Sequence, residues 1–412
     1  MVGSCCNTWR WKARAFAFFA WMVLGGIGLA ADQSSSSGLD DFFRGTTFNP
    51  LLDIYYGYNF NDPIGRANLL RAYDVSSNSF SLNQADLVID HAVDPDHGRR
   101  LGLRLDLQLG QATQTLQGNP INEPRPDIYR NIFQAYGTYV IPLGRGLTFV
   151  AGKWSSSIGI EGNYTKDQMN YSRSFWYALL PFYHMGASLS YPATDWLTLN
   201  YWITNGTQQT EDWNGFKDQL LGVVVRPTKS LSWTLNGYLG QENPDVIYNP
   251  SGAPANLPRQ QGTPFEPISP APDGKLAILD SYLTWNATDK LTFAVEGDYV
   301  SNQVWSNASY YIAYGGAAYA RYQLTDALAA SARVDYVSDQ NGYFGGVSQS
   351  LYETTLTAEY QVMNGWQIWL EWRRDASSQP YFLTQTLGAL KNDQSTVTVG
   401  MVWWLGGKTG SW

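Results

Sequence analysis

Residues 101–109 read Leu101-Gly102-Leu103-Arg104-Leu105-Asp106-Leu107-Gln108-Leu109. Leucine holds every odd position, while glycine, arginine, aspartate and glutamine hold the even ones. A helix would smear the leucines around its circumference; a strand places them all on one side. One face therefore meets something apolar and the other meets water or polar groups. The pattern recurs. Leu231, Trp233, Leu235 and Leu239 alternate with Ser232, Thr234, Asn236 and Tyr238, and Leu291, Phe293, Val295 and Tyr299 with Thr292, Glu296 and Asp298. Leu328, Ala330, Ala332, Val334 and Tyr336 interleave with Ser331, Arg333 and Asp335. Tyr352, Leu356, Ala358, Tyr360 and Val362 interleave with Glu353, Thr355, Thr357, Glu359 and Gln361. In each case charge keeps to the polar side. A cation on the lipid face of a membrane strand costs roughly 2–4 kcal/mol near the midplane, enough to enforce such sorting.

Composition points the same way. Aromatic and charged residues each make up 15% of the chain, whereas ordinary soluble domains carry about 25% charged residues. Beyond the leader no stretch is continuously apolar enough for a membrane helix, and only helices and closed barrels satisfy every backbone group in hydrocarbon. Residues 1–30 read as a cleaved export signal: Arg10, Lys12 and Arg14 precede the apolar run Ala15–Leu29, and Gly28-Leu29-Ala30 offers small residues for cleavage. A membrane anchor is the alternative, but the run is short of the roughly twenty residues needed to span a bilayer. Cys5 and Cys6 lie upstream of that run, so the mature chain has no thiol for disulfides, catalysis or metal binding. Losing the signal removes three cations and no anions, moving the net charge from −8 to −11. That balance argues against nucleic acid as a partner.

Sixteen alternating segments are expected, at 51–59, 80–92, 100–111, 131–141, 147–154, 183–191, 196–205, 218–227, 231–241, 276–286, 290–300, 310–324, 328–337, 350–362, 366–375 and 395–405. The fold class is thus an all-β transmembrane antiparallel barrel of about sixteen strands (14–18). Connections alternate between tight turns, such as Pro142–Gly146 and Met363–Gly365, and long loops, such as 155–182 and 242–275. Short periplasmic turns and long extracellular loops mark a bacterial barrel, and an even count puts both termini in the periplasm. The expected layout is a signal peptide at 1–30, a periplasmic linker at 31–50 and the barrel at 51–412. Tyr139, Trp154, Tyr191, Trp196, Trp285, Tyr299, Tyr322, Trp366, Trp372, Trp403 and Trp404 fall near strand ends, as an interfacial girdle would require. Terminal Trp412 suits recognition by the barrel-assembly machinery. Eight of nineteen prolines fall in 242–275, which therefore reads as an irregular external loop rather than two further strands.

By parity the lumen is lined by Arg104, Asp106, Glu296, Asp298, Arg321, Arg333, Asp335, Glu353, Glu359, Glu371 and Arg373. Opposite charges often stand two residues apart, which sets up a transverse field across a wet channel or simply neutralises the wall. Segment 155–182 mixes Glu161, Lys166, Asp167 and Arg173 with aromatics and a helical turn around Phe175–Leu180. Its apolar end would be costly to leave in water, which favours insertion into the lumen as a constriction over a solvated external loop. Catalytic supply is thin. His91 and His97 sit among turn carboxylates (Asp90, Asp94, Asp96), and His184 faces inward with no visible nucleophile partner, so no catalytic, cofactor or metal site is expected.

The chain also resembles a family of β-barrel porins of Gram-negative outer membranes, the OmpL-like group. The resemblance rests on Ser79-Phe-Ser-Leu-Asn-Gln-Ala-Asp-Leu-Val88, Leu103-Arg-Leu-Asp-Leu-Gln-Leu-Gly-Gln-Ala-Thr113, Glu123-Pro-Arg-Pro-Asp127 and Gln134-Ala-Tyr136. It continues through Gly152-Lys-Trp154, Glu161-Gly-Asn-Tyr-Thr165, Asn170-Tyr-Ser-Arg-Ser174, Pro181-Phe-Tyr-His-Met-Gly186, Asn200-Tyr-Trp202 and Asn205-Gly-Thr-Gln-Gln209. It covers residue 50 onward, most densely before 245. It implies an outer-membrane location and a transport role, with Glu161, Asn163, Tyr171 and Arg173 as constriction residues. The expected function is passive diffusion of small hydrophilic solutes, with a mild cation preference. Lipopolysaccharide and membrane lipid would be its surroundings, and a homo-oligomer is compatible with such a wall. Two other readings stay open: a structural or adhesive barrel with a plugged lumen, and a secreted soluble β-protein that binds glycans.

Overall fold

The computed structural model describes residues 45–406 apart from 118–122, 124–125, 213, 244–245, 249–267 and 271–272. The expected signal peptide, residues 31–44 of the expected linker, Trp412 and much of the proline-rich loop lie outside the described residues. Sixteen strands form one closed barrel. In chain order they are β1 (Thr46–Asn59), β2 (Ser79–His91), β3 (Leu101–Leu109), β4 (Ile132–Ile141), β5 (Leu147–Ser155), β6 (Tyr183–Pro192), β7 (Leu197–Thr204) and β8 (Asp218–Thr228). They continue as β9 (Leu231–Gly240), β10 (Leu276–Asn286), β11 (Leu291–Gln303), β12 (Tyr310–Gln323), β13 (Leu328–Gln340), β14 (Gln349–Met363), β15 (Trp366–Ser377) and β16 (Asp393–Trp404). Each strand pairs antiparallel with its sequence neighbour, and β16 closes on β1 through Leu51↔Trp404 to Asn59↔Thr396. Closure leaves no unpaired strand edge, which is what a wall in hydrocarbon needs.

The leucines of β3 face outward. Leu101 is 66% exposed and Arg104 only 2%, and burial alternates residue by residue between them. Leu221, Leu239, Leu279, Val295, Val334, Leu356 and Leu370 are likewise exposed, from β8 round to β15. This belt is the surface that lipid covers. No helix among the described residues is long and apolar enough to cross a membrane.

Three expectations change. β1 starts at Thr46, so 46–50 belong to the wall and not to the linker; Thr46↔His91 through Pro50↔Leu87 are paired. Pro50 lies beyond the pairing with β16, where its missing N–H is not needed. The proline-rich loop is not wholly irregular, since Val246–Tyr248 pairs antiparallel with Ile268–Pro270 in a ribbon separate from the barrel. A two-stranded ribbon has free edges, so a proline can terminate one of its strands. Lastly, Trp154 and Trp404 leave the girdle. Both are buried inside the barrel, Trp154 edge-on to Trp202, because their parity points inward despite their position near strand ends.

Candidate constriction loop within the barrel

The connection from β5 to β6, residues 156–182, turns into the barrel and touches strands on several sides. Near its start, the Ile160 amide donates to Glu296 Oε1 (2.8 Å) on β11, and Asn236 on β9 donates to the Ser157 carbonyl (3.0 Å). Farther on, Tyr164 Oη donates to Asp106 (2.7 Å) on β3, and Thr165 Oγ1 and Tyr171 Oη both donate to Asp53 (2.7 Å each) on β1. The amides of Tyr171 and Ser172 donate to the two oxygens of Glu371 (2.7 and 3.0 Å) on β15. The Phe175 amide donates to Asp335 Oδ2 (2.6 Å) on β13. Ser174 then caps a short helix, Phe175–Leu179, by accepting from the Tyr177 amide. Phe175, Trp176 and Leu180 bury against inward apolar residues such as Trp154, Leu220, Ile278 and Val337.

The wall is shaped for this guest. Gly400 of β16 faces the Tyr171 ring, and a β-carbon there would collide with it. Buried ring and bare backbone therefore fit only as a pair. The first long loop, 60–78, supports the insertion: Tyr73 Oη donates to Asn163 Oδ1 (2.6 Å), and Arg71 reaches Asp375 (2.7 Å) on β15 and pairs with Asp74.

All six expected constriction residues come together in this loop. Glu161 binds Arg333 (2.7 Å) and accepts from the Ser174 amide (2.7 Å). Asn163 accepts from Tyr73 and Gln84 (2.8 Å). Lys166 pairs with Asp167 (2.8 Å), and Arg173 donates to the carbonyls of Gly162, Tyr171 and Asn163 (2.7–2.9 Å). Arg173 thus ties the loop to itself rather than facing solution.

The wall charges all point inward, yet they divide into two groups. Arg104 forks onto Asp106 (2.8 and 2.9 Å); Arg333 pairs with Glu353 (2.8 Å) as well as Glu161; Arg373 pairs with Asp375 (2.7 Å). With Asp335, Glu353 and Glu371, these lie buried beside the loop, and Glu296 and Asp298 lie buried at its root. Arg321 and Glu359 (2.9 Å) sit nearer the periplasmic turns, and the Arg321 side chain keeps 27% exposure. Thr138, Thr148, Ser190 and Asn200, inward near the same end, also keep solvent contact.

Parity would also have flagged Asp53, Asp280 and Asp375, inward residues absent from the expected lining; Arg71 and Asp74 lie in a loop, where no periodicity marks them. His184 does have a hydroxyl partner, Ser156 Oγ at 3.1 Å from Nε2, but its Nδ1 faces the Gly206 carbonyl (3.3 Å) and Ser156 Oγ also accepts from the Ile158 amide. The pair stitches the loop's root, and among the described residues no carboxylate is hydrogen-bonded to the imidazole to orient it. Among the turn histidines, His97 Nδ1 meets Asp94 (2.9 Å) and His91 Nδ1 meets Thr46 Oγ1 (3.0 Å). The Asp94 contact raises the His97 pKa.

Known structures share the architecture. An anion-selective porin from Comamonas acidovorans superposes with a TM-score of 0.54 at 8% identity, over 87% of this chain and 99% of that one. The outer-membrane channel DcaP of Acinetobacter baumannii gives 0.55 at 8% identity over 87% and 97%. OmpT, an outer-membrane protein of Vibrio cholerae, gives 0.53 at 12% over 87% and 97%. At such identities the likeness concerns the fold. No curated protein matches the chain by sequence. The family model described as "Putative beta-barrel porin-2, OmpL-like" matches residues 45–404, essentially the whole described barrel, and the chain belongs to this family of outer-membrane β-barrel porins.

Proposed function

We propose that the chain is a passive channel for small hydrophilic solutes or ions, narrowed by loop 156–182, and that it catalyses no reaction. The supporting observation is the path of that loop through the barrel, bonded at once to Asp53 on β1, Glu296 on β11, Asp335 on β13 and Glu371 on β15. A loop so placed sets the bore, and the groups beside it set charge preference. Glu161, Asn163, Lys166, Asp167, Tyr171 and Arg173 are the proposed constriction residues. The part-exposed Arg321–Glu359 pair belongs to the wetter periplasmic vestibule.

One observation favours a second reading, a barrel closed by its own loop that serves through its surface. Arg173, Arg333 and Arg373 are almost fully buried, and an open pore would wet them. Planar-bilayer recording separates the two. The channel reading expects small conductance steps from the folded wild type and larger ones when residues 161–173 are replaced by a short Gly-Ser linker. Silence from both proteins, each shown to be folded and inserted, overturns it. Silence from the wild type with large steps from the shortened loop supports the closed barrel.

A further inference from the structure

Asp280 on β10 and Asp298 on β11 are register partners, and Glu296 stands two residues from Asp298 on the same inward face. One carboxylate oxygen from each of the three lies within 4.8 Å of the other two, and all three residues are buried. Among the described residues none of them forms a salt bridge; Arg333, on the next strand but one, is already held by Glu161 and Glu353.

A separate observation concerns their oxygens. Glu296 accepts from the Ile160 amide and Asp280 Oδ2 from Asn236 (2.7 Å). By strict hydrogen-bond geometry Asp280 Oδ1 and both oxygens of Asp298 meet no donor and no solvent, although the Gly159 amide stands by Asp280 and the two aspartates face each other; Asp298 is only 6% exposed. Buried carboxylate oxygens in that condition take up either a proton or a cation. Two such carboxylates side by side cannot both stay ionised without a counter-charge.

We propose that Asp280, Glu296 and Asp298 form a divalent-cation site at the root of the inserted loop, with calcium or magnesium as occupant. An all-oxygen, all-carboxylate donor set suits these hard ions rather than zinc or copper. A cavity lined by Gly159, Glu161 and Glu296 reaches the cluster at Glu296 and has room for about one water, a further ligand of the kind both ions keep. Because Glu296 also accepts from Ile160, the ion joins the wall of β10 and β11 to the first turn of the loop.

The test needs protein free of lipopolysaccharide, whose phosphates bind the same ions. The full chain, refolded into detergent and stripped with chelator, is titrated calorimetrically with calcium chloride and magnesium chloride at neutral pH. The expected result is one ion per chain, with a Kd on the order of 10⁻⁵–10⁻³ M for calcium. Asp298→Asn and Asp280→Asn each weaken binding by about tenfold or more through loss of ligand charge, while Asp326→Asn in an exposed turn changes nothing. Should either cluster variant fail to fold, the wild type still decides: calcium must raise its unfolding temperature after chelation. A folded wild type that takes up neither ion, or whose uptake both variants leave intact, overturns the proposal in favour of a shared proton only. Conductance plays no part in this readout, so it stands or falls apart from the channel.

Discussion

Arg333 on β13 and Arg321 on β12 both face the barrel interior, one rung apart, since Arg321 is paired with Ser331. Their surroundings differ sharply. Arg333 is fully buried between Glu353 and Glu161 and also donates to the Ser172 carbonyl (2.7 Å). Arg321 has one carboxylate, Glu359, and part of its side chain remains in water. Two residues along a strand is only about 7 Å. Within that distance the interior changes from a layer packed by the loop, where Arg333 is held by two carboxylates, to a layer where Arg321 keeps contact with solvent. The loop makes the difference, because it brings Glu161 and Ser172 to Arg333 and nothing comparable to Arg321.

Arg333→Met is the severest way to break this contrast. It strands Glu161 and Glu353 without a counter-charge, and removing one partner of a buried ion pair costs about 3–5 kcal/mol. Denaturant unfolding in micelles should show that loss, and bilayer conductance should rise as the loop loosens. An unchanged midpoint would mean that water reaches Glu161 and Glu353.

Tyr171→Phe removes one donor from Asp53 but leaves Thr165 and Asn83 (2.7 Å) in place. A loss of about 1–3 kcal/mol is expected for a buried acceptor so deprived. Gly400→Ala attacks the same contact from the wall, and overpacking of this kind typically costs about 1–3 kcal/mol. The double variant should then cost less than the sum, because both act on one ring. Strict additivity would show that Gly400 and Tyr171 are not coupled.

Arg321→Ala sharpens the other side. A part-exposed pair is worth about 1 kcal/mol or less, so stability should hardly move. The reversal potential in a salt gradient should shift toward cations, because Glu359 is left facing the vestibule. A large stability loss with no shift would place Arg321 in the loop-packed layer with Arg333.

The smallest effect lies at the periplasmic rim. The hydrogen bond to Asp94, aided by its charge, raises the His97 pKa, so the contact favours the fold below the unfolded-state pKa of histidine, and that contribution fades as pH rises through the elevated folded value. Asp94→Asn should return His97 to its ordinary titration by NMR, with only a small loss of stability at low pH because the His97 ring lies in water. Persistence of the elevated value would assign the shift to Asp96 instead.

Strand positions were legible throughout, and the reason shows at particular residues. Lipid outside and polar groups inside impose opposite demands on neighbouring side chains, so Leu103 and Arg104 declare their faces without reference to the rest of the chain. Ends were less legible: Trp154 and Trp404 sit where a girdle would, but parity, not depth, decides which way a ring points. For segment 155–182 the mixture of charge with an apolar end favoured insertion. Its partners were not visible, since Asp53, Glu371 and Asp335 are brought to it only by closure of the barrel. Asp280 shows the opposite failure. Its parity was readable, but its importance comes from standing opposite Asp298, and register across two strands cannot be seen along one of them.

The amino-acid order alone therefore indicated which face of each strand meets lipid, a count of about sixteen strands (14–18), which barrel closure fixed at sixteen, and which connections are long. Those properties arise from alternation and turn chemistry, both local. Tertiary structure alone decided which inward groups meet, how deep the loop reaches and which charges remain in water. Those depend on the summed register of sixteen paired strands, which places residues 53, 171 and 371 side by side although nothing near any of them in the chain requires it.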